Sequence, residues 1–245
     1  MVLRIDKFEV MEIVRPTVSG MTQPFQCRLE DDQLYAVKGR GALHRGLICE
    51  VYSAFLGRFL GLPIPDFAIA SMSRRLLESH NDTLVRSSVG HGMVFASSWQ
   101  EPVDVVTMPI LNSIDRYLLA TIYVFDHWIM NGDRTLTEDG GNVNLLIRLN
   151  DRSLIVIDHN LAFSESYDRH ELELHACRQA WLDLRKDYNF TRRLLEKMKS
   201  APEWISSLLE QLPEEWTEDN SKFGSKVLSI LNRVNYREFW EELHA

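Results

Sequence analysis

The feature that most restricts this chain is a change of hydrophobic period near residue 100. Over residues 8–39 the apolar residues fall in short runs, FEVMEIV, FQCRL and QLYAVKG, separated by RPTVSGMTQP and EDD. The runs have strand length and the separators have turn chemistry, so three strands are predicted. LHRGLICEVYSAFLGRFLG then carries Leu43, Leu47, Val51, Ala54, Phe55 and Phe59 at helical spacing and stops at Gly61 before Pro63; this predicts a helix closed by a Gly/Pro stop. DFAIASM and GMVFASSW read as two further strands around a polar loop, residues 76–90. SSWQEPVD, near residues 97–105, interrupts the pattern. From about Ser113 the chain reads as helix, apart from one hairpin, NLLIRLNDRSLIVID, turning at Asn150-Asp151. Beyond residue 170 the pattern is helical, with a break at NSKFG.

A β-rich part followed by a helical part predicts an α+β chain of two lobes, residues 1–100 and 101–245, with a cleft between them. A length of 245 residues allows a substantial core in either one domain or two lobes. The net charge of −8 argues against a broad electrostatic footprint for nucleic acid, although one small basic pocket would still accept ATP. Cys27, Cys49 and Cys177 are odd in number and widely spaced, which fits reduced, buried thiols better than a zinc site or a disulfide framework. The opening MVLRIDKFEVMEIV lacks the apolar core and small-residue cleavage site of a secretory leader. No apolar run approaches the roughly 20 residues that span a bilayer. A cytoplasmic protein without a membrane partner is expected.

The polar residues with the strongest chemical content lie between Asn131 and Asn160. This segment holds five acidic residues and five asparagines, yet its second half is strongly apolar. Asp133 follows the helix-like YLLATIYVFDHWIMNG, Asn142 and Asn144 precede NLLI, and Asp158 follows SLIVI. Pairing the two strands would bring Asn144 and Asp158 to one end of the hairpin, with Asp133 facing them. Mg²⁺ takes hard oxygen ligands, often one or two carboxylates plus substrate phosphates; a further carboxylate can orient or accept a hydroxyl proton. Surface turns explain Asn150-Asp151 well. They explain less well an aspartate that ends the run Leu154, Ile155, Val156, Ile157.

Upstream, Lys38 ends the strand-like LYAVKG, and Glu50 lies twelve residues later inside the predicted helix. A lysine at a strand end is usually a solvated charge, but a strand lysine and a neighbouring helix glutamate can also pair and hold the ammonium over phosphates. Ser19, Gly20, Met21 and Thr22, in the turn VSGMTQPF, offer backbone N–H groups and hydroxyls to the same phosphates, although one glycine in a hairpin turn is common.

The order Lys38, Glu50, Asp133-Arg134, Asn144, Asp158 resembles the HipA-like branch of the protein-kinase-like fold and is similar to the phosphatidylinositol 3-/4-kinases. Tyr35-Ala36-Val37-Lys38 stands where kinases carry V-A-I-K, and EVYSAFLGRFLGLPIPDFAIASM is similar to the helix-loop-strand after that lysine in small HipA-like proteins. The likeness covers roughly residues 10–165. It implies a two-lobed kinase-like fold that moves the γ-phosphoryl group of ATP to a hydroxyl, with a protein Ser/Thr as the expected acceptor. Asp133 would orient the hydroxyl, Asn144 and Asp158 would hold Mg²⁺, and Lys38, steadied by Glu50, would neutralise phosphate charge. The adenine would stack against MVFASSW and bond backbone near Phe95, Ala96 and Ser97. The chain departs from ordinary kinases in having no HRD histidine before Asp133 and IDHN in place of DFG. Asp133 and Asn144 stand eleven positions apart across an acidic TLTEDG, which leaves Asn142 as a rival to Asn144. A pseudokinase acting by protein contacts and a metal-dependent phosphohydrolase remain alternatives, and nothing in the sequence speaks to oligomeric state.

Several other residues have simpler explanations. His127 lies in an apolar helix and is expected to pack or cap. His170 and His175 are five apart, which does not suit a metal pair on one helix face. His159, beside Asp158, is expected to have a structural role, with contact to phosphate as the alternative. Trp181, Trp204, Trp216 and Trp240 are expected in the core or an interface, and PEEWTED reads as a solvated helix end.

Overall fold

A computed structural model describes residues 4–17, 24–80, 82–137 and 140–244. Five strands, β1 (Asp6–Pro16), β2 (Phe25–Leu29), β3 (Leu34–Lys38), β4 (Phe67–Met72) and β5 (Gly92–Ser98), close into a barrel in the order β1-β2-β3-β5-β4, with β1 and β4 parallel. Alternation along each strand decides what fills it: Tyr35, Val37, Val94 and Ala96 point inward with Phe25, Cys27 and Leu29. The predicted polar loop over residues 76–90 is instead largely helical. Here α2 (Arg74–Ser79) and α3 (Thr83–Ser88) insert Leu77 and Val85, followed by Val89, into the barrel core. Apolar residues among polar ones in that stretch belong to two short helices whose faces are too brief to read as periodic.

The helix α1 (Leu43–Leu60) packs outside the barrel, in one core with Ile69 and Phe95. It ends where the sequence predicts, at Gly61 with φ 94°, a left-handed position that glycine occupies without a Cβ penalty. Its middle turns are buried on all sides, so Glu50 sits at 3% exposure and requires a partner.

The chain leaves the barrel at Ser98, and β6 (Val103–Val105) joins a separate sheet, β6-β7-β8, with β7 (Leu145–Arg148) and β8 (Leu154–Val156). Between them lie α4 (Met108–Leu111) and α5 (Arg116–Trp128), the latter capped by the Asp115 side chain on Leu118 N–H. The remaining helices are α6 (Arg178–Leu184), α7 (Tyr188–Ser200), α8 (Pro202–Leu209), α9 (Glu214–Thr217), α10 (Phe223–Asn232) and α11 (Arg237–His244). Trp181 and Trp216 are fully buried, and Trp204 and Trp240 half-buried.

PEEWTED is not merely a solvated end. Glu215 accepts the Met93 N–H at 2.5 Å and Trp216 donates its indole N–H to the Met93 carbonyl at 3.1 Å, so α9 holds the start of β5. The three cysteines are free and buried. Among the described residues, no helix is long and apolar enough to cross a membrane.

Candidate active site

Lys38 is the last residue of β3, and strand alternation puts it on the outer face with Ala36 while Val37 fills the barrel. Gly39 follows because the backbone passes so close to Val89 that a Cβ there would lie 2.1 Å from its carbonyl oxygen. The ammonium of Lys38 donates to Glu50 Oε1 at 2.5 Å and to Asp158 Oδ1 at 2.7 Å. Burial opposes the charge on Lys38, but the two carboxylates outweigh it and hold the ammonium protonated well above its ordinary range. Burial pushes the Glu50 carboxyl up against the pull of Lys38. For Asp158 the balance is reversed: burial is outweighed by the charge and hydrogen bond of Lys38, and the carboxyl is lowered.

Asn144 immediately precedes β7, and Asp158 lies two residues beyond β8 rather than at its end. Both have left-handed backbone, φ 47° and 61°, which Asn and Asp tolerate better than most residues. The ladder Leu145↔Val156 continues as Ile157 N–H to the Asn144 carbonyl at 3.2 Å, bringing the two side chains to one end of the hairpin. Asp133 Oδ2 accepts Asn144 Nδ2 at 2.9 Å and Asn142 Nδ2 at the weaker distance of 3.4 Å. Asp133 Oδ1 is buried without a hydrogen-bond partner among the described residues. Burial, with Asp158 adding and Arg134 opposing, pushes this carboxyl up to about 6.

Arg134 departs from the usual exposure of arginine. It is fully buried. Its Nε donates to Asp126 Oδ2 at 2.6 Å, and one terminal nitrogen donates to the Asn144 carbonyl at 2.5 Å, with the Val143 and Ile157 carbonyls at 3.3 and 3.5 Å. The other terminal nitrogen donates to His159 Nε2 at 3.2 Å. Guanidinium has no acceptor, so Nε2 of His159 is unprotonated and its proton lies on Nδ1. Burial, reinforced by Arg134, lowers His159 to about 3 and keeps it neutral. Its backbone N–H reaches Glu50 Oε2 at 3.3 Å, linking this network to the Lys38 pair.

Phe95, Ala96 and Ser97 do not offer free backbone to a ring. They occupy the middle of β5, opposite Lys38, Val37 and Ala36 of β3 on one side and Ile69, Ala68 and Phe67 of β4 on the other. Ladder hydrogen bonds use those groups, and the Ala96 side chain faces the barrel core. Ser19, Gly20, Met21 and Thr22 lie outside the described residues. His127 is buried in packing, stacked on Phe239 at 4.8 Å, and His170 is exposed beside Glu173. Two members of the site are given no role in it by the sequence. Asp126 is one aspartate within an apolar helix, and His175, 2.9 Å from it, carries no local signal.

Two oxygens of this group can serve a cation. The Asn144 amide donates to Asp133, which directs its carbonyl oxygen away, and Asp158 has a second carboxylate oxygen beyond the one Lys38 holds. Among the described residues no three His, Cys, Asp or Glu side chains gather as a metal cage. One amide and one carboxylate suit a hard cation that takes its other ligands from phosphate and water, as Mg²⁺ does.

The profile of the HipA-like kinase family matches residues 10–243. The chain belongs to the HipA-like kinase family. This HipA-like kinase has no match among curated proteins. Among solved structures it is similar to the Golgi casein kinase with Mn/ADP bound, at 12% identity, covering 97% of this chain and 73% of that one with a TM-score of 0.56. A second structure of the Golgi casein kinase gives 14% identity, 97% and 72% coverage and a TM-score of 0.57. The Helicobacter pylori proinflammatory kinase CtkA gives 11% identity, 98% and 97% coverage and a TM-score of 0.56. At such identities the likeness establishes the fold: this HipA-like phosphotransferase is an α+β chain with the protein-kinase-like architecture, strand-rich first and helical after.

Proposed function

We propose that this kinase transfers the γ-phosphoryl group of ATP, with Mg²⁺, to the hydroxyl of a protein serine or threonine. The observation that carries the reading is the position of Lys38, whose ammonium bridges Glu50 of α1 and Asp158 beyond β8. That arrangement holds one fixed positive charge beside the candidate metal ligands, where phosphate oxygens would lie. Phosphoryl transfer depends mainly on positioning and electrostatic stabilisation, so such a preorganised charge is the appropriate device.

Asn144 and Asp158 would hold the cation, which when bound neutralises charge on the phosphate oxygens. Lys38 orients the nucleotide phosphates and, on their arrival, exchanges part of its contact with Asp158 for them. Asp133 is the group that receives or orients the acceptor hydroxyl proton: its Oδ1 is buried and unengaged, and Oδ2 is fixed by Asn144. Backbone past the end of β5, at Gln100 and Glu101, is the natural partner for the adenine edge, since Phe95–Ser97 is occupied. The expected location is cytoplasmic, with residues 1–100 and 101–245 as the two lobes.

The acceptor is tested by incubating a cell lysate with the kinase, Mg²⁺ and [γ-³²P]ATP. Label released as phosphoserine or phosphothreonine from protein supports the reading. Label confined to extracted lipid, or release of phosphate to water alone, contradicts it.

A further inference from the structure

We infer that His175, acting through Asp126 and Arg134, is a positioning residue that sets the relative orientation of Asn144 and Asp158. The inference rests on those two residues being the metal ligands. His175 lies outside every motif of the site, 49 residues beyond Asp126, and is buried. Its Nδ1 accepts the Cys177 N–H at 3.0 Å, so that nitrogen is unprotonated. The ring proton therefore lies on Nε2 and is donated to Asp126 Oδ2 at 2.9 Å.

The same Oδ2 accepts Arg134 Nε at 2.6 Å, and Asn131 Nδ2 holds Oδ1 at 3.0 Å. With both oxygens bound, the Asp126 carboxylate cannot turn, and neither can the planar guanidinium that it grips. One terminal nitrogen of Arg134 then donates to the Asn144 carbonyl at 2.5 Å and lies 3.5 Å from the Ile157 carbonyl, a weaker contact. These carbonyls belong to Asn144 itself and to the residue before Asp158, and both candidate ligands have left-handed backbone that a relaxed loop would leave. Fixing the two carbonyls fixes the two peptide planes from which the ligand side chains project. Outer residues that orient metal ligands in this way typically change metal affinity or activity by about 10–100-fold when removed.

The test exploits the two nitrogens. His175→Gln keeps a donor at the reach of Nε2, toward Asp126, and loses the acceptor for Cys177. His175→Asn keeps an acceptor at the reach of Nδ1 and loses the contact with Asp126. Both are polar, smaller side chains, so a role in packing alone would affect them alike. The readout is the gain in ADP affinity on adding Mn²⁺, measured by calorimetry on the full chain. His175→Asn is expected to lose about tenfold or more of that gain, and His175→Gln to stay within about threefold of the unaltered protein. Equal gains in the two variants, whether normal or reduced, would overturn the inference. An unaltered protein whose ADP affinity ignores Mn²⁺ would instead overturn the assignment of Asn144 and Asp158, and this inference with it. Should His175→Asn fail to fold, the His175 Nε2–H proton resonance of the unaltered protein decides. It should move with Mg²⁺ plus ADP and not with ADP alone; a resonance that stays fixed with both would overturn the inference.

Discussion

Lys38 and Asp158 are 120 positions apart in the chain and 2.7 Å apart in the fold. The contact joins the end of β3 to the loop beyond β8, and Glu50 of α1 completes it from the opposite side. A buried charge trio of this kind stands only while each member keeps a partner.

Lys38→Met should therefore reduce both catalysis and stability. Removing one partner of a buried pair costs about 3–5 kcal/mol, because Glu50 is left uncompensated. Adding Glu50→Gln removes that stranded charge and should recover most of the stability in chemical denaturation. Phosphoryl transfer should stay about 10²-fold or more below wild type in both, since the positive charge at the phosphates is gone. A double variant no more stable than Lys38→Met would show that the pair is not the origin of the loss.

Gly39→Ala places a methyl group against the Val89 carbonyl, which also accepts the Arg40 N–H at 2.7 Å. Backbone must move, at about 1–3 kcal/mol, and the nearest side chain to move with it is Lys38. The variant should melt lower and gain less from Mg²⁺-ATP than wild type, for which a hundredfold excess over Kd is worth about 2.7 kcal/mol. Melting indistinguishable from wild type would mean that the close approach does not constrain the strand end.

Parts of this architecture are legible in the sequence. Apolar spacing and the Gly61 stop delimit α1, and an aspartate closing an apolar run marks Asp158 as unusual. These are local patterns. The contacts of Glu215 and Trp216 with Met93 span more than 120 positions, and PEEWTED has the composition of a solvated helix end, so nothing local announces them. The Asp126–Arg134–His175 network is hidden for the same reason: each member is polar in an ordinary way until the fold buries all three. A strand sequence does not reveal that both of its edges will be paired, as they are at Phe95–Ser97.

Acid should destabilise the protein through its buried neutral histidines. His127 is lowered to about 3 by burial, with Arg233 adding; it also faces Glu242 Oε2 at 3.3 Å and the Tyr167 hydroxyl at 2.9 Å. In the unfolded chain its value is near 6.5. Between about 6.5 and 3 the unfolded state binds the extra proton, so stability falls as pH falls, by up to about 1.4 kcal/mol per pH unit from one such group. His127→Gln should flatten the decline of Tm between pH 6.5 and 4. An unchanged slope would mean that His127 is protonated in the fold.

The most direct measurement is phosphoryl transfer by Asp158→Asn. Asparagine keeps the shape of the side chain, tolerates the left-handed backbone at this position, and retains an oxygen for Lys38. The fold should survive, with a melting temperature within a few degrees of wild type. With Mg²⁺ and [γ-³²P]ATP, the variant should label the lysate acceptor at about 1% of the wild-type rate or less, because the carboxylate that holds the cation is gone. Labelling at the wild-type rate by the folded variant would contradict the assignment of Asp158 to the metal.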